Sequence, residues 1–278
     1  MHIQRAVNTW AGAGMGARLV HRNISVLKQA LAQAVKGRLI HSNPTDEIEK
    51  PSITKKRALI VWNADQTAAF LDASVSDLLS PVWHLLTLEG MRRGEALGLR
   101  WSDLHWHTDR VTAHIQQTVI PDVSNKGKAI VQQRTKTQAG ARTVELTPST
   151  AKALEAHRDR QRFARQSAGQ AWEETGLIVT TSRGTPVNPS SIKRNQKGIM
   201  QRAGVPEITT HDLRHTAATQ MILAGVPVVI VSQKLGHAAV SITLDLYAHV
   251  LPSDQSQANA AMEALLARGR ANNAALGT

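Results

Sequence analysis

The chain has 278 residues, 42% of them hydrophobic and 19% charged, enough for one large globular domain or a domain with a small helical companion. It has no cysteine, which excludes disulfides, thiolate metal sites and cysteine nucleophiles, and no apolar run nears the ~18 residues of a membrane helix. Lys and Arg number 33 against 21 Asp and Glu, a net charge of +12 and a pI near 10.6, so the surface calls for a polyanionic partner, of which nucleic acid is the commonest.

The N-terminal stretch MHIQRAVNTWAGAGMGARLV lacks the apolar core of a signal peptide, which makes the cytoplasm the expected compartment. Residues 24–40, ISVLKQALAQAVKGRLI, set Val26, Leu27, Leu31, Val35, Leu39 and Ile40 at helical spacing. The next stretch, HSNPTDEIEKPSITKKRALI, contains Pro44 and Pro51 and has the turn-rich, charged composition of a linker. We place a domain boundary there, with 1–52 as a small helical domain, 53–60 as linker and 61–278 as the main domain. About fifty residues are thin for an independent core.

Beyond the linker, Asn63 or Asp65 caps a helix that runs to about Ala73, and a second begins near Pro81 and stops at Gly90. RRGEALGL continues as a short helix. Three stretches with strand-like alternation follow, RVTAHIQQTVI (110–120), KAIVQQRT (128–135) and ARTVELT (141–147), and predict a three-stranded antiparallel sheet with KTQAG (136–140) as its last turn. A long helix from about Thr150 to Gln166 carries Arg158, Arg162 and Arg165 on one face, either a solvated stripe or a phosphate-tracking one. LIVTT reads as a short strand, and a helix is expected near 190–203. Three more helices close the domain: one capped by Thr209 or Thr210 and stopped by Gly225, one from Pro227 to Gly236, and one from Ser241 that ends before Pro252. The tail QSQANAAMEALLARG is a further amphipathic helix.

Within LDLYAHVL (244–251) lies Tyr247, the only tyrosine in a chain with six Trp and two Phe. A phenol with a pKa of about 10 costs about 4 kcal/mol to ionise at pH 7, so as a nucleophile it needs strong positive charge around it. A phosphodiester suits such a site, because planar arginine forks match the charge on its non-bridging oxygens. THDLRHT supplies His211 and Arg214, three residues apart on one helix face. LGHAAVSITLDLY puts His237 after a helix stop and ten residues ahead of Tyr247. EGMRRGEALGLRW offers Arg92 at a helix corner, with Glu95 one turn on to orient it. TKTQAG places Lys136 at a hairpin tip, from which a mobile ammonium can reach a groove. Each residue taken alone also has a plain structural reading, as a cap, a surface pair or a solubilising lysine.

The order of these pieces is distinctive: G-[LM]-R-x-G-E, K-T in a hairpin, H-x-x-R-H, L-G-H and then a tyrosine. Together with NPTDEIEKP, GTPVNPSS and DLRHTAAT it resembles the tyrosine recombinase (phage integrase) family over residues 24–252. The resemblance implies an α+β, mainly α fold: a helical catalytic domain with a small antiparallel three-stranded sheet, preceded by a partial helical core-binding domain. It implies a site-specific recombinase that cleaves and rejoins DNA through a 3′-phosphotyrosyl intermediate, without metal, ATP or other cofactor. By resemblance the catalytic residues are Arg92, Lys136 (the general acid), His211, Arg214, His237 and Tyr247 (the nucleophile). The implied partners are double-stranded DNA at attachment or core sites, further copies of the chain in a tetramer on paired sites, and an accessory DNA-bending or directionality protein. A membrane is not among them, and the implied location is the cytoplasm, at the nucleoid. The helix after Pro252, with Ala260, Met262, Leu265 and Leu266, resembles the family's element for docking on a neighbouring protomer, and fits packing on its own domain as well. The first fifty residues resemble only the second half of a core-binding domain, too little to close a clamp around DNA. Two other readings share the residues: a DNA-binding remnant without recombination, and strand relaxation in the manner of a type IB topoisomerase.

Overall fold

A computed structural model of the chain describes residues 2–53, 60–133, 141–247 and 256–276. They form two compact units, residues 1–59 and 60–278. No helix among the described residues is long and apolar enough to cross a membrane.

The first unit contains α1 (His2–Gly12) and α2 (Ala17–Lys36). Val7, Val20 and Ile24 form its small core, flanked by Trp10, Met15 and Ile48. The helix expected over 24–40 thus starts about two turns earlier. It ends at Lys36 because Gly37 caps it and Arg38 takes a positive φ of 57°. The charged stretch after it is held by side chains: Asn43 Oδ1 accepts from both the backbone and the hydroxyl of Thr45, and His21 Nε2 lies 2.8 Å from the Pro51 carbonyl.

The second unit begins with α3 (Ala64–Ser74), where Asn63 and Gln66 form a reciprocal capping box, followed by α4 (Ser80–Thr87) and α5 (Arg93–Gly98). Its core gathers Trp62, Phe70, Trp83, Leu85, Leu86, Met91 and Leu97 around the buried α4. Trp83 and Phe70 meet edge to face at 5.6 Å.

The sheet differs from the sequence expectation. A three-stranded antiparallel sheet exists, but its strands are β1 (Leu104–Trp106), β2 (Val111–Ile115) and β5 (Arg142–Leu146), in the order β1-β2-β5. A second, two-stranded sheet pairs β3 (Gln117–Pro121) with β4 (Ala129–Gln133). The run 110–120 reads as one strand because burial alternates without a break through Val111, Ala113, Ile115, Gln117 and Val119. Its partners change at Gln116, whose amide donates to Asp103 Oδ1 at 2.7 Å, so the run serves two sheets. The expected last turn, 136–140, falls outside the described residues.

α6 (Pro148–Ala168) follows, capped by Thr147. LIVTT makes no strand. Its Leu177 and Ile178 carbonyls accept from the Gln161 amide, His157 Nε2 lies 2.8 Å from the same Ile178 oxygen, and only isolated bridges remain. Four helices then run in order, α7 (Ile192–Ala203), α8 (Thr210–Leu223), α9 (Val228–Leu235) and α10 (Val240–Tyr247), with Thr209 and Asp212 forming a capping box for α8. The tail helix α11 (Ser256–Leu276) leaves Met262, Leu265 and Leu266 exposed.

α5 is pressed against β3. A methyl group on Gly94 would lie 2.2 Å from Thr118 Oγ1 and 2.8 Å from the Val119 carbonyl, and the buried Gln117 amide donates to the Gly98 carbonyl. Gly94→Ala should therefore destabilise the fold by about 1–3 kcal/mol in urea unfolding, the overpacking cost exceeding the ~1 kcal/mol that alanine gains in a helix.

Candidate active site

The site is built on the C-terminal end of α9. A helix leaves its last carbonyls without intrahelical partners, and they carry the negative end of its dipole. Here three successive carbonyls each accept from a different arginine. Arg142 Nε donates to Lys234 O at 3.0 Å, Arg214 Nη2 to Leu235 O at 2.7 Å, and Arg92 Nη2 to Gly236 O at 3.0 Å. Gly236 ends the helix in the left-handed region (φ 68°), and a Cβ there would meet the Arg142 guanidinium at 2.8 Å. Glycine serves both the turn and the close approach.

Three guanidinium groups held this closely need a counter-charge, and Glu95 provides it. The carboxylate is fully buried. Its Oε1 accepts from Arg92 Nη1 at 2.8 Å and Arg142 Nη1 at 3.2 Å, and its Oε2 from Arg142 Nη2 and the Arg92 backbone N–H, both at 2.9 Å. Burial pushes its pKa up, but the bonds and charge of Arg142, then those of Arg92, outweigh burial and hold it at about 2. Arg214 is 4% exposed and also donates from Nη1 to Gly90 O at 2.6 Å. Burial first, and Arg92 second, lower its pKa to about 10, which leaves it charged at neutral pH.

A second buried carboxylate braces the same helix. Glu89 Oε1 accepts from the Thr147 backbone and from the hydroxyls of Thr147 and Thr150, while Lys234 Nζ lies 2.6 Å from its Oε2. Lys234 also donates to Glu145 O at 3.1 Å, so β5 and α9 are joined through Lys234 as well as through Arg142.

The histidines and the phenol occupy the remaining side. His237 follows Gly236, and its Nδ1 lies 2.7 Å from Thr243 Oγ1. Burial and then the charges of Arg214, Arg92 and Arg142 bring its pKa down to about 4. His211 and His215, one turn apart on α8, meet edge to face at 4.7 Å, and both pKa values are lowered, chiefly by burial. Tyr247 is 1% exposed and packs among Ala218, Ile222, Val231 and Leu235. Its hydroxyl lies 2.6 Å from His215 Nδ1. Burial pushes the phenol up to about 12, against the pull of Arg214. Ionising it at pH 7 costs about 7 kcal/mol, more than the about 4 of a free phenol.

Five of the six residues expected from the sequence therefore meet in one cluster: Arg92, His211, Arg214, His237 and Tyr247. Lys136 lies outside the described residues. Sequence reasoning missed His215, which stood in the H-x-x-R-H pattern without a role, and Arg142, Lys234, Glu89 and Thr243. Arg142 carried one signal, a basic residue opening the strand after the Lys136 turn. The arginine stripe of α6 is not part of the cluster. Arg158 lies over Trp101 at 4.6 Å and Trp106 at 5.4 Å, Arg162 pairs with Asp159 and Arg165 with Glu174. That engagement favours the solvated-face reading.

Because Glu95 has a lower pKa folded than unfolded, it stabilises the protein above its unfolded value near 4.5 and loses that stabilisation as the pH falls toward 2. The difference corresponds to about 3 kcal/mol. Glu95→Gln should lower the urea-unfolding free energy at pH 7 by about 3–5 kcal/mol, since it leaves buried guanidinium groups unpaired. Its stability should also change less between pH 4.5 and 3 than that of the parent chain.

Comparison with known proteins bears on the fold and the family. The model of the phage integrase family matches residues 63–254. A XerC-like tyrosine recombinase of Caldanaerobacter subterraneus subsp. tengcongensis is 30% identical over 269 residues, 93% of this chain and 69% of that protein. The ICEBs1 integrase of Bacillus subtilis is 24% identical over 246 residues, 88% of this chain and 65% of that one. The chain thus spans about two thirds of the length of these relatives. Among solved structures, the Tn1549 transposon integrase in complex with a circular intermediate DNA shares the fold, with a TM-score of 0.71 over 94% of this chain and 84% of that one at 18% identity. The mainly helical fold with small antiparallel sheets, the family match over 63–254 and the 30% identical relative lead to one conclusion: the chain belongs to the phage integrase family of tyrosine site-specific recombinases.

Proposed function

We propose that this chain breaks and rejoins double-stranded DNA at paired attachment sites, as the integrase of a phage, prophage or other mobile element. Tyr247 Oη attacks the scissile phosphorus, the P–O5′ bond breaks, and the chain is left joined to the DNA 3′ end. The departing O5′ takes a proton from Lys136. Arg92 and Arg214 hold the non-bridging oxygens, with His211 and His237 donating to the same charge. An incoming 5′-hydroxyl then reverses the step on the partner strand. One phosphodiester is exchanged for another of similar energy, so the exchange draws on no external energy source. The carrying observation is the position of the lone phenol: it lies 2.6 Å from His215 and within the influence of Arg214, one of three guanidinium groups that backbone carbonyls and one buried carboxylate fix in place before any ligand arrives.

Residues 61–278 are the catalytic domain in this reading, 53–60 the linker and 1–52 part of a core-binding domain. The net charge of +12 supports a DNA partner. Family membership favours recombination over a remnant without activity and over topoisomerase-like relaxation. The working assembly is a tetramer on paired sites, assisted by an accessory DNA-bending or directionality protein, at the nucleoid.

Incubation with a pool of nicked duplexes, randomised around the nick, tests the chemistry. The chain should capture a subset covalently, and Tyr247→Phe, which keeps the packing, should capture none on a denaturing gel. Capture retained by Tyr247→Phe would assign the nucleophile elsewhere. Deleting residues 255–278, whose apolar Met262, Leu265 and Leu266 are exposed, should preserve capture and abolish strand exchange between two sites. Exchange at the full rate by the truncated chain would remove the docking role.

A further inference from the structure

The phenol at the centre of this site needs somewhere to send its proton. Buried, with a pKa of about 12, it is fully protonated at rest, and Arg214, the arginine that acts on it, is a donor that cannot accept. An acceptor must lie within hydrogen-bond reach of Tyr247 Oη. Among the described residues one side chain is recorded at that distance: His215, with Nδ1 at 2.6 Å.

The other histidines of the region have different partners. His84 Nδ1 faces the carbonyl of Ser80 one turn back, and His237 Nδ1 faces Thr243. His211 lies edge to face against the His215 ring, and the charges acting on it are Arg214, Asp212 and Arg92. His211 is thereby placed toward the arginine side of the cluster, and His215 toward the phenol.

We propose that His215 is a catalytic residue of this centre, its Nδ1 taking the phenolic proton of Tyr247 as Oη attacks the scissile phosphorus. The inference rests on the reading of Tyr247 as nucleophile. With the imidazole in its Nε2–H form, Tyr247 donates to Nδ1. As the Oη–P bond forms, the proton passes to Nδ1 and the ring becomes imidazolium. The P–O5′ bond breaks, and the leaving oxygen takes its proton from the separate acid, Lys136. In rejoining, an incoming 5′-hydroxyl gives its proton back to that acid while attacking phosphorus, and the imidazolium returns its proton to Oη.

The surroundings keep the ring ready for this. The groups facing it are His211, Asp212 and Arg214 on α8, Tyr247 on α10, and His237 after α9. Burial, then His211, lower its pKa; Asp212 opposes them and Arg214 adds to the lowering. The ring is therefore neutral at pH 7 and able to accept. The large gap in basicity between phenol and imidazole means that the proton moves only together with bond formation to phosphorus, so the resting phenol stays inert until a phosphate is seated between the arginines.

The test uses a nicked duplex selected from the randomised pool by wild-type capture, in single-turnover form. His215→Asn places an amide oxygen near the Nδ1 position, which accepts a hydrogen bond but not a proton. We expect adduct formation to slow about 10²-fold or more, with the melting temperature and duplex affinity unchanged. Replacing the scissile O5′ by sulfur, which leaves without an acid, should not rescue His215→Asn and should rescue Lys136→Ala. His215→Ala supplies a second variant, whose rate should recover with added imidazole. Adduct formation by His215→Asn within about threefold of wild type, a faster rate, or rescue by the sulfur substrate would each overturn the assignment. Absence of any adduct from wild type would overturn the nucleophile reading itself, an outcome distinct from capture by wild type and variant alike.

Discussion

The free carbonyls at the end of α9 are the feature on which the rest of the centre depends. Three peptide units in sequence, at Lys234, Leu235 and Gly236, receive one guanidinium group each. A helix terminus has fixed spacing, so the three arginines inherit a fixed spacing. Their mutual repulsion is met by the helix dipole and by a buried carboxylate, Glu95, which accepts hydrogen bonds from both Arg92 and Arg142. The result is a dense positive centre already assembled in the free chain, the condition under which electrostatic catalysis avoids reorganisation at the moment of reaction.

That arrangement joins regions far apart in sequence. Arg92 comes from the corner between α4 and α5, Arg142 from the first residue of β5, and Arg214 from the middle of α8. β5 directly follows the segment that carries Lys136. Arg142 and Lys234 bind this strand to α9. Glu89 does the same for the start of α6 through Thr147 and Thr150.

Tyr247 combines reactivity with restraint. The apolar cluster of Ala218, Ile222, Val231 and Leu235 buries its ring and keeps its pKa high, while Arg214 pulls in the opposite direction. A phenol in such surroundings has little nucleophilic character until a bound phosphate and a proton acceptor act together. His211, His215 and His237 all have lowered pKa values, so at neutral pH the cationic character of the site resides in the arginines and the imidazoles stay available for proton exchange.

The sequence by itself determined the order of the helices of the large unit and much of the cluster's composition. Helix stops at Gly236, caps at Asn63 and Thr209 and the spacing of His211 and Arg214 are local features, written in neighbouring residues and read without knowledge of the fold. The tertiary structure decided what contact across the chain alone can decide. The continuous alternation from Val111 to Val119 does not say that its two halves pair with different strands, because the register of a strand is set by its partners. LIVTT has strand composition, yet side chains of α6 take its carbonyls. Arg142, Lys234 and Glu89 look like ordinary surface charges in sequence, and become parts of the site only because burial beside the end of α9 makes each charge depend on a partner tens of residues away.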